Sequence, residues 1–107
     1  MERIDYLPLG SVVRLEGGIQ DLMVISRGIN VKQNDKEYFF DYGAVAYPEG
    51  LTGDVMAYFN HDGIARIVFY GYDTQESRIM AENINRYIEA NPEIERIDPR
   101  NWNYDFS

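Results

Sequence analysis

Apolar residues along this chain recur first with the period of a strand and then, beyond residue 73, with the period of a helix. That change divides the chain. Short apolar runs at Ser11 to Leu15 (SVVRL) and Asp21 to Arg27 (DLMVISR) flank Gly17-Gly18, a pair that tolerates positive φ, which predicts two strands joined by a turn. Leu22, Met23, Val24 and Ile25 are apolar on both faces, the pattern of a central strand or of one inside a curled sheet. Ile29 and Val31 alternate with Asn30 and Lys32, so the second strand can extend towards a turn at Asn34-Asp35.

Tyr38 to Tyr47 reads as a long aromatic third strand. Phe39, Val45 and Tyr47 fall on one parity and Tyr38, Phe40 and Tyr42 on the other, so both faces require cover. Gly43 in its middle points to a bulge or bend. Pro48, Glu49 and Gly50 end the strand, and Asp54 to Phe59 (DVMAYF) forms the fourth. Asn60-His61-Asp62-Gly63 has the chemistry of a tight hairpin turn, which would join the fourth strand directly to a fifth at Ile64 to Tyr70.

After Gly71-Tyr72, Asp73 and Glu76 have capping-box spacing, with Thr74 as the alternative cap. Met80, Ile84, Tyr87 and Ile88 form one stripe opposite Glu82 and Glu89, predicting an amphipathic helix that ends near Asn91, before Pro92. Met80, Ile84 and Tyr87 are accordingly expected to be buried. The fold class is α+β, mainly β: a five-stranded, strongly bent antiparallel sheet or small SH3-like barrel, followed by one helix and an extended tail. An unclosed sheet with the helix across one face is the alternative. Residues 1–91 make one domain, and residues 92–107 an extension that docks in part through Ile94 and Ile97. Trp102 to Phe106 either docks or waits for a partner.

Composition narrows the chemistry. A chain of 107 residues, 45% hydrophobic and 26% charged, is balanced for one folded domain. It has no cysteine, which excludes disulfides, thiolate metal sites and a cysteine nucleophile. Eighteen acids against ten bases give a net charge of −8, a field that repels phosphate backbones and anionic membranes and suits a basic protein partner. No apolar run approaches the roughly 20 residues of a spanning helix, and MERIDYLPLG lacks the pattern of an export signal. A cytoplasmic protein with no nucleic-acid or membrane partner is expected.

Candidate chemistry is sparse. His61, the only histidine, lies between Asn60 and Asp62 on the turn without the further ligands or nucleophile that a catalytic or metal site needs. Asp41, inside the aromatic strand, is expected to bond a nearby backbone amide or face an edge. Ten of the fifteen aromatic residues lie between Tyr38 and Tyr72, where Arg66 is the only base, so packing or a protein-binding surface explains them better than base stacking. Gly17-Gly18 precedes no helix and is no phosphate loop. The expectation is a non-enzymatic protein with no catalytic residues, no metal and no cofactor.

Four blocks in order, LPLGSVVRLEGG, LMVISRG, FDYGAVAYPEG and FNHDGIARIVFYGY, resemble domain-of-unknown-function family 4176 over Leu7 to about Ile88. Members of that family occur in Gram-positive bacteria near type VII secretion genes and LXG-type toxins. The resemblance implies a cytosolic chaperone or adaptor that binds a secreted toxin or its targeting factors. An immunity protein is the alternative. It supplies no catalytic residues. The candidate protein-binding residues are Tyr47, Pro48, Glu49, Tyr58, Asn60, His61, Tyr70 and Trp102.

Overall fold

A computed structural model describes residues 3–54 and 56–96. Five strands, β1 (Val12–Leu15), β2 (Leu22–Gln33), β3 (Lys36–Ala46), β4 (Ala57–Phe59) and β5 (Ile64–Phe69), precede one helix, α1 (Gln75–Ala90). They form a single antiparallel sheet in the order β4-β3-β2-β1-β5.

This order corrects the expected hairpin at Asn60 to Gly63. β4 pairs with β3 and β5 pairs with β1, so the two consecutive strands occupy opposite edges of the sheet. The Asn, Asp and Gly of the connection serve a 3₁₀ turn over His61–Gly63. Curvature follows from distance. A flat five-stranded sheet would set its outer strands about 19 Å apart, four spacings of about 4.8 Å. Three residues of 3₁₀ helix advance only about 6 Å. The sheet must therefore curl, giving the strand order and corner of an SH3-like barrel.

β2 and β3 form the longest ladder, from Leu22 opposite Ala46 to Gln33 opposite Lys36. It turns at Asn34 and Asp35, both at positive φ, as their turn chemistry allows. The register slips between Val24 and Ser26, so the extra residue lies in β2, opposite Gly43, and not in β3 itself. Gly43 leaves room for close neighbours: a Cβ there would lie 2.9 Å from Met56 Cε and 3.3 Å from Ser26 Cβ. Both parities of β3 are buried, as the paired aromatic pattern requires. Tyr6, Leu7, Val13, Val24, Phe39, Tyr42, Ala44 and Phe59 form the core, closed by Ile84 and Ile88 of α1.

The expected stripe on the helix needs correction. Ile84 and Ile88 are buried, but Met80 and Tyr87 are 47% and 45% exposed. The buried face runs through Ala81, Ile84, Asn85 and Ile88, at i, i+3, i+4 and i+7 spacing. Asn85 belongs to it because its amide accepts from the Ile4 N–H at 2.9 Å and donates to the Ile4 carbonyl at 2.8 Å. A polar residue thus occupies a core position by pairing with backbone. Thr74 caps the helix, its hydroxyl accepting the Ser77 N–H at 3.1 Å. Asp73 instead pairs with Arg78.

Candidate functional site

The one histidine lies at the corner where the sheet curls, and a buried polar network surrounds it. Asp41 on β3 is 1% exposed. Its Oδ2 accepts the backbone N–H of His61 at 2.8 Å, while Oδ1 accepts from the Tyr6 hydroxyl and from Arg96 Nη2, each at 2.9 Å. The Asp41 N–H in turn donates to Asn60 Oδ1 at 3.1 Å. Four separate parts of the chain meet on one carboxylate.

Tyr42 extends the network on the next position of β3. Its oxygen accepts the Leu7 N–H at 2.9 Å and lies 2.7 Å from His61 Nδ1. The Tyr42 hydroxyl thus joins the backbone of the N-terminal segment to the ring of the corner histidine. Burial is the main cause that raises the Tyr42 phenol well above the ordinary tyrosine range. Tyr6 is raised further, first by burial and then by the adjoining Asp41 carboxylate. Both phenols are held neutral. The chemistry of this cluster is spent inward, on joining the N-terminal segment, β3, the corner and residues near Arg96.

A second buried cation lies under the helix. Arg27 is 6% exposed, and its guanidinium donates to the Ser77 carbonyl at 3.1 Å and the Leu7 carbonyl at 3.4 Å. Burial lowers its pKa. Ile94, Glu95 and Arg96 of the C-terminal extension lie against the sheet. Phe39 N–H donates to the Glu95 carbonyl at 3.0 Å, Arg96 stands 5.1 Å over the Phe39 ring, and Ile94 packs on the core.

The outward surface is different in kind. Ile67, Val68, Phe69 and Tyr70 are between 43% and 60% exposed, on both parities of β5 and just beyond it. Of these four, the sequence marks only Tyr70 as a candidate binding residue; Ile67, Val68 and Phe69 are read from it only as part of a strand. The signal was present in IARIVFYGY, which is too apolar for an exposed strand, yet the apparent hairpin supplied a false neighbour.

The candidate binding residues are dispersed. Tyr47 is half-exposed after β3, with its N–H on the Asp21 carbonyl. Pro48 and Glu49 are exposed in a turn closed by Gly50 N–H on Ala46. Tyr58 lies opposite Gly43 and stacks on Phe40, ring centroids 5.5 Å apart. Asn60 and His61 meet at the corner. Tyr70, beyond β5 at the far edge of the sheet, lines a polar groove with Tyr6, Ser77 and Ala81. Register and position bring Asn60 and His61 together but do not gather Tyr47, Tyr58 and Tyr70 into one patch. Trp102 lies outside the described residues, as does Ile97.

Among the described residues there is no group of three or more His, Asp and Glu side chains arranged to hold a metal ion. No helix among them is long and apolar enough to cross a membrane. The fold and the inward network define a small barrel-like β domain with a capping helix. The chain belongs to the family described as domain of unknown function DUF4176, whose model matches residues 6–80. No curated protein and no solved structure matches it. The family match covers the whole sheet, the corner and the first turns of α1.

Proposed function

We propose that this protein is a non-enzymatic, cytoplasmic binding factor, a chaperone or adaptor for an LXG-type toxin exported by a type VII secretion system. The observation that carries the binding reading is the apolar edge at Ile67, Val68, Phe69 and Tyr70, a surface suited to another chain. The resemblance to proteins encoded near such toxins supplies the partner class. Co-purification with the toxin encoded beside it, and loss of export when the gene is deleted, are the expected results; unchanged export in the deletion strain would sink this reading.

The net charge of −8 favours one second reading, an immunity protein that covers a basic toxin surface. Cells making the toxin internally would then survive only when this chain is present. Export measured in the same strains separates the two roles.

A further inference from the structure

The two edges of the sheet are built differently. β4 has three residues, and a short edge offers little template for another strand. β5 has six, with the sequence IARIVF: no proline, no lysine and one charge, Arg66. It pairs with β1 on one side, and among the described residues no strand pairs with the other. Its row of backbone donors and acceptors is bordered by apolar side chains on both faces. An open cavity of about 400 Å³, lined by His61, Asp62, Ile64, Ala65, Arg66 and Ile67, lies beside the start of that edge.

Charge selects among the occupants of such an edge. Arg3, Arg14, Lys36, Arg78, Arg86 and Arg96 are engaged in internal ion pairs, and Arg27 is buried on carbonyl groups. Among the described residues only Lys32 and Arg66 are left as bases outside those pairs. The outward field is therefore acidic. Asp62, exposed, precedes β5, and exposed Glu16 is tied beside its start through an N–H on the Gly63 carbonyl at 2.9 Å. A second copy would bring the same acidic field against itself. A chain with an apolar stretch and basic flanks would meet complementary charge in the acidic field of the chain and at Asp62 and Glu16 beside the start of β5.

We infer that the free edge of β5 accepts, by strand addition, an extended and mainly apolar segment of the partner protein with basic residues beyond its ends. Main-chain hydrogen bonds supply the alignment, and Ile67, Val68, Phe69 and Tyr70 supply the side-chain contacts. This deepens the binding reading above and rests on it.

The direct test uses a fluorescent synthetic peptide of alternating Val and Thr with two lysines at each end. Controls carry glutamates in place of the lysines, or N-methyl groups on alternate amides, which remove the donors a strand needs. The full-length protein is expected to bind the lysine peptide, to bind both controls roughly tenfold or more weakly, and to lose a similar factor on Phe69→Ser. Hydrogen exchange at β5 amides should slow on binding, and added salt should weaken it. Val68→Thr, which keeps strand propensity, serves as the second variant if Phe69→Ser does not fold. Binding with no protection of β5, equal binding of the N-methyl peptide, or no binding of any peptide overturns the proposal. So does concentration-dependent β5 protection with dimerisation in the absence of peptide, which would make a second copy the occupant. Co-purification of the neighbouring toxin with the wild type and equally with Phe69→Ser would overturn strand addition while leaving the binding reading intact; recovery with neither would remove the binding reading itself.

Discussion

The backbone N–H of His61 donates to Asp41 Oδ2 at 2.8 Å, fastening the corner between opposite sheet edges to the central aromatic strand. The other carboxylate oxygen holds Tyr6 and Arg96. Asp41→Ala would leave a buried phenol and a largely buried guanidinium without their acceptor, which costs far more than the net worth of one hydrogen bond. A loss of about 3–5 kcal/mol is expected by urea denaturation. Combining Asp41→Asn with Arg96→Met should cost less than the sum of the single changes, because the ion pair is then removed as a unit. Strict additivity would show that the two side chains do not act together.

Two phenols make alkaline stability a second readout. The folded-state pKa of Tyr6 and of Tyr42 is raised above the ordinary value of 10.0, chiefly by burial. Below that value both states carry neutral phenols and the contribution is complete. As pH rises above it, the unfolded chain releases protons that the folded chain retains, so stability falls from about pH 10 upwards towards the folded pKa values. Chemical denaturation between pH 8 and about 11.5 should show this decline, and Tyr42→Phe should flatten part of it. An unchanged slope in that variant would assign the decline to other groups.

Gly28 reports on how closely the helix approaches the sheet. Its φ is +61°, and a Cβ there would stand 2.9 Å from Ile84 Cγ2. Gly17 has φ +75° with nothing within 4 Å of an added Cβ. Gly17→Ala should therefore cost only the left-handed backbone strain, about 1–2 kcal/mol. Gly28→Ala adds a clash and should cost about 1–3 kcal/mol more. In an Ile84→Ala background that excess should vanish, which thermal or urea melts of the wild type, the three single variants and the double variant can read.

The portions of this fold that were legible from sequence are those fixed by near neighbours. The turns at Gly17-Gly18 and Asn34-Asp35, the doubly buried β3 and the helix start near Thr74 all follow from local chemistry. The pairing of β5 with β1 does not, because Val12 and Phe69 are distant in sequence and NHDG suits either a hairpin or a 3₁₀ corner. His61 stands out as the only histidine and Asn60 as part of the turn, whereas the amide and phenol that bind Asp41 come from the corner backbone and the N-terminal segment. The exposure of Phe69 was hidden for the same reason as the edge itself: a residue's cover depends on which strand lies beside it.

The helix offers the last measurement, because its polar pattern misleads about which way it faces. The apolar stripe includes Met80 and Tyr87, which stand half-exposed, whereas polar Asn85 is 7% exposed and bonded to both backbone groups of Ile4. Ile84→Ala and Ile88→Ala should each cost about 2–4 kcal/mol, the range for truncating a buried aliphatic side chain. Met80→Ala, at a half-exposed position, should cost about 1 kcal/mol or less. Asn85→Leu is the sharper comparison: it adds apolar volume on the buried face but strips the Ile4 N–H and carbonyl of their partners. It should destabilise by about 1–3 kcal/mol and speed amide exchange at Ile4. A stabilising Asn85→Leu would mean that α1 is held by apolar contact alone and that its pairing with the N-terminal segment adds nothing.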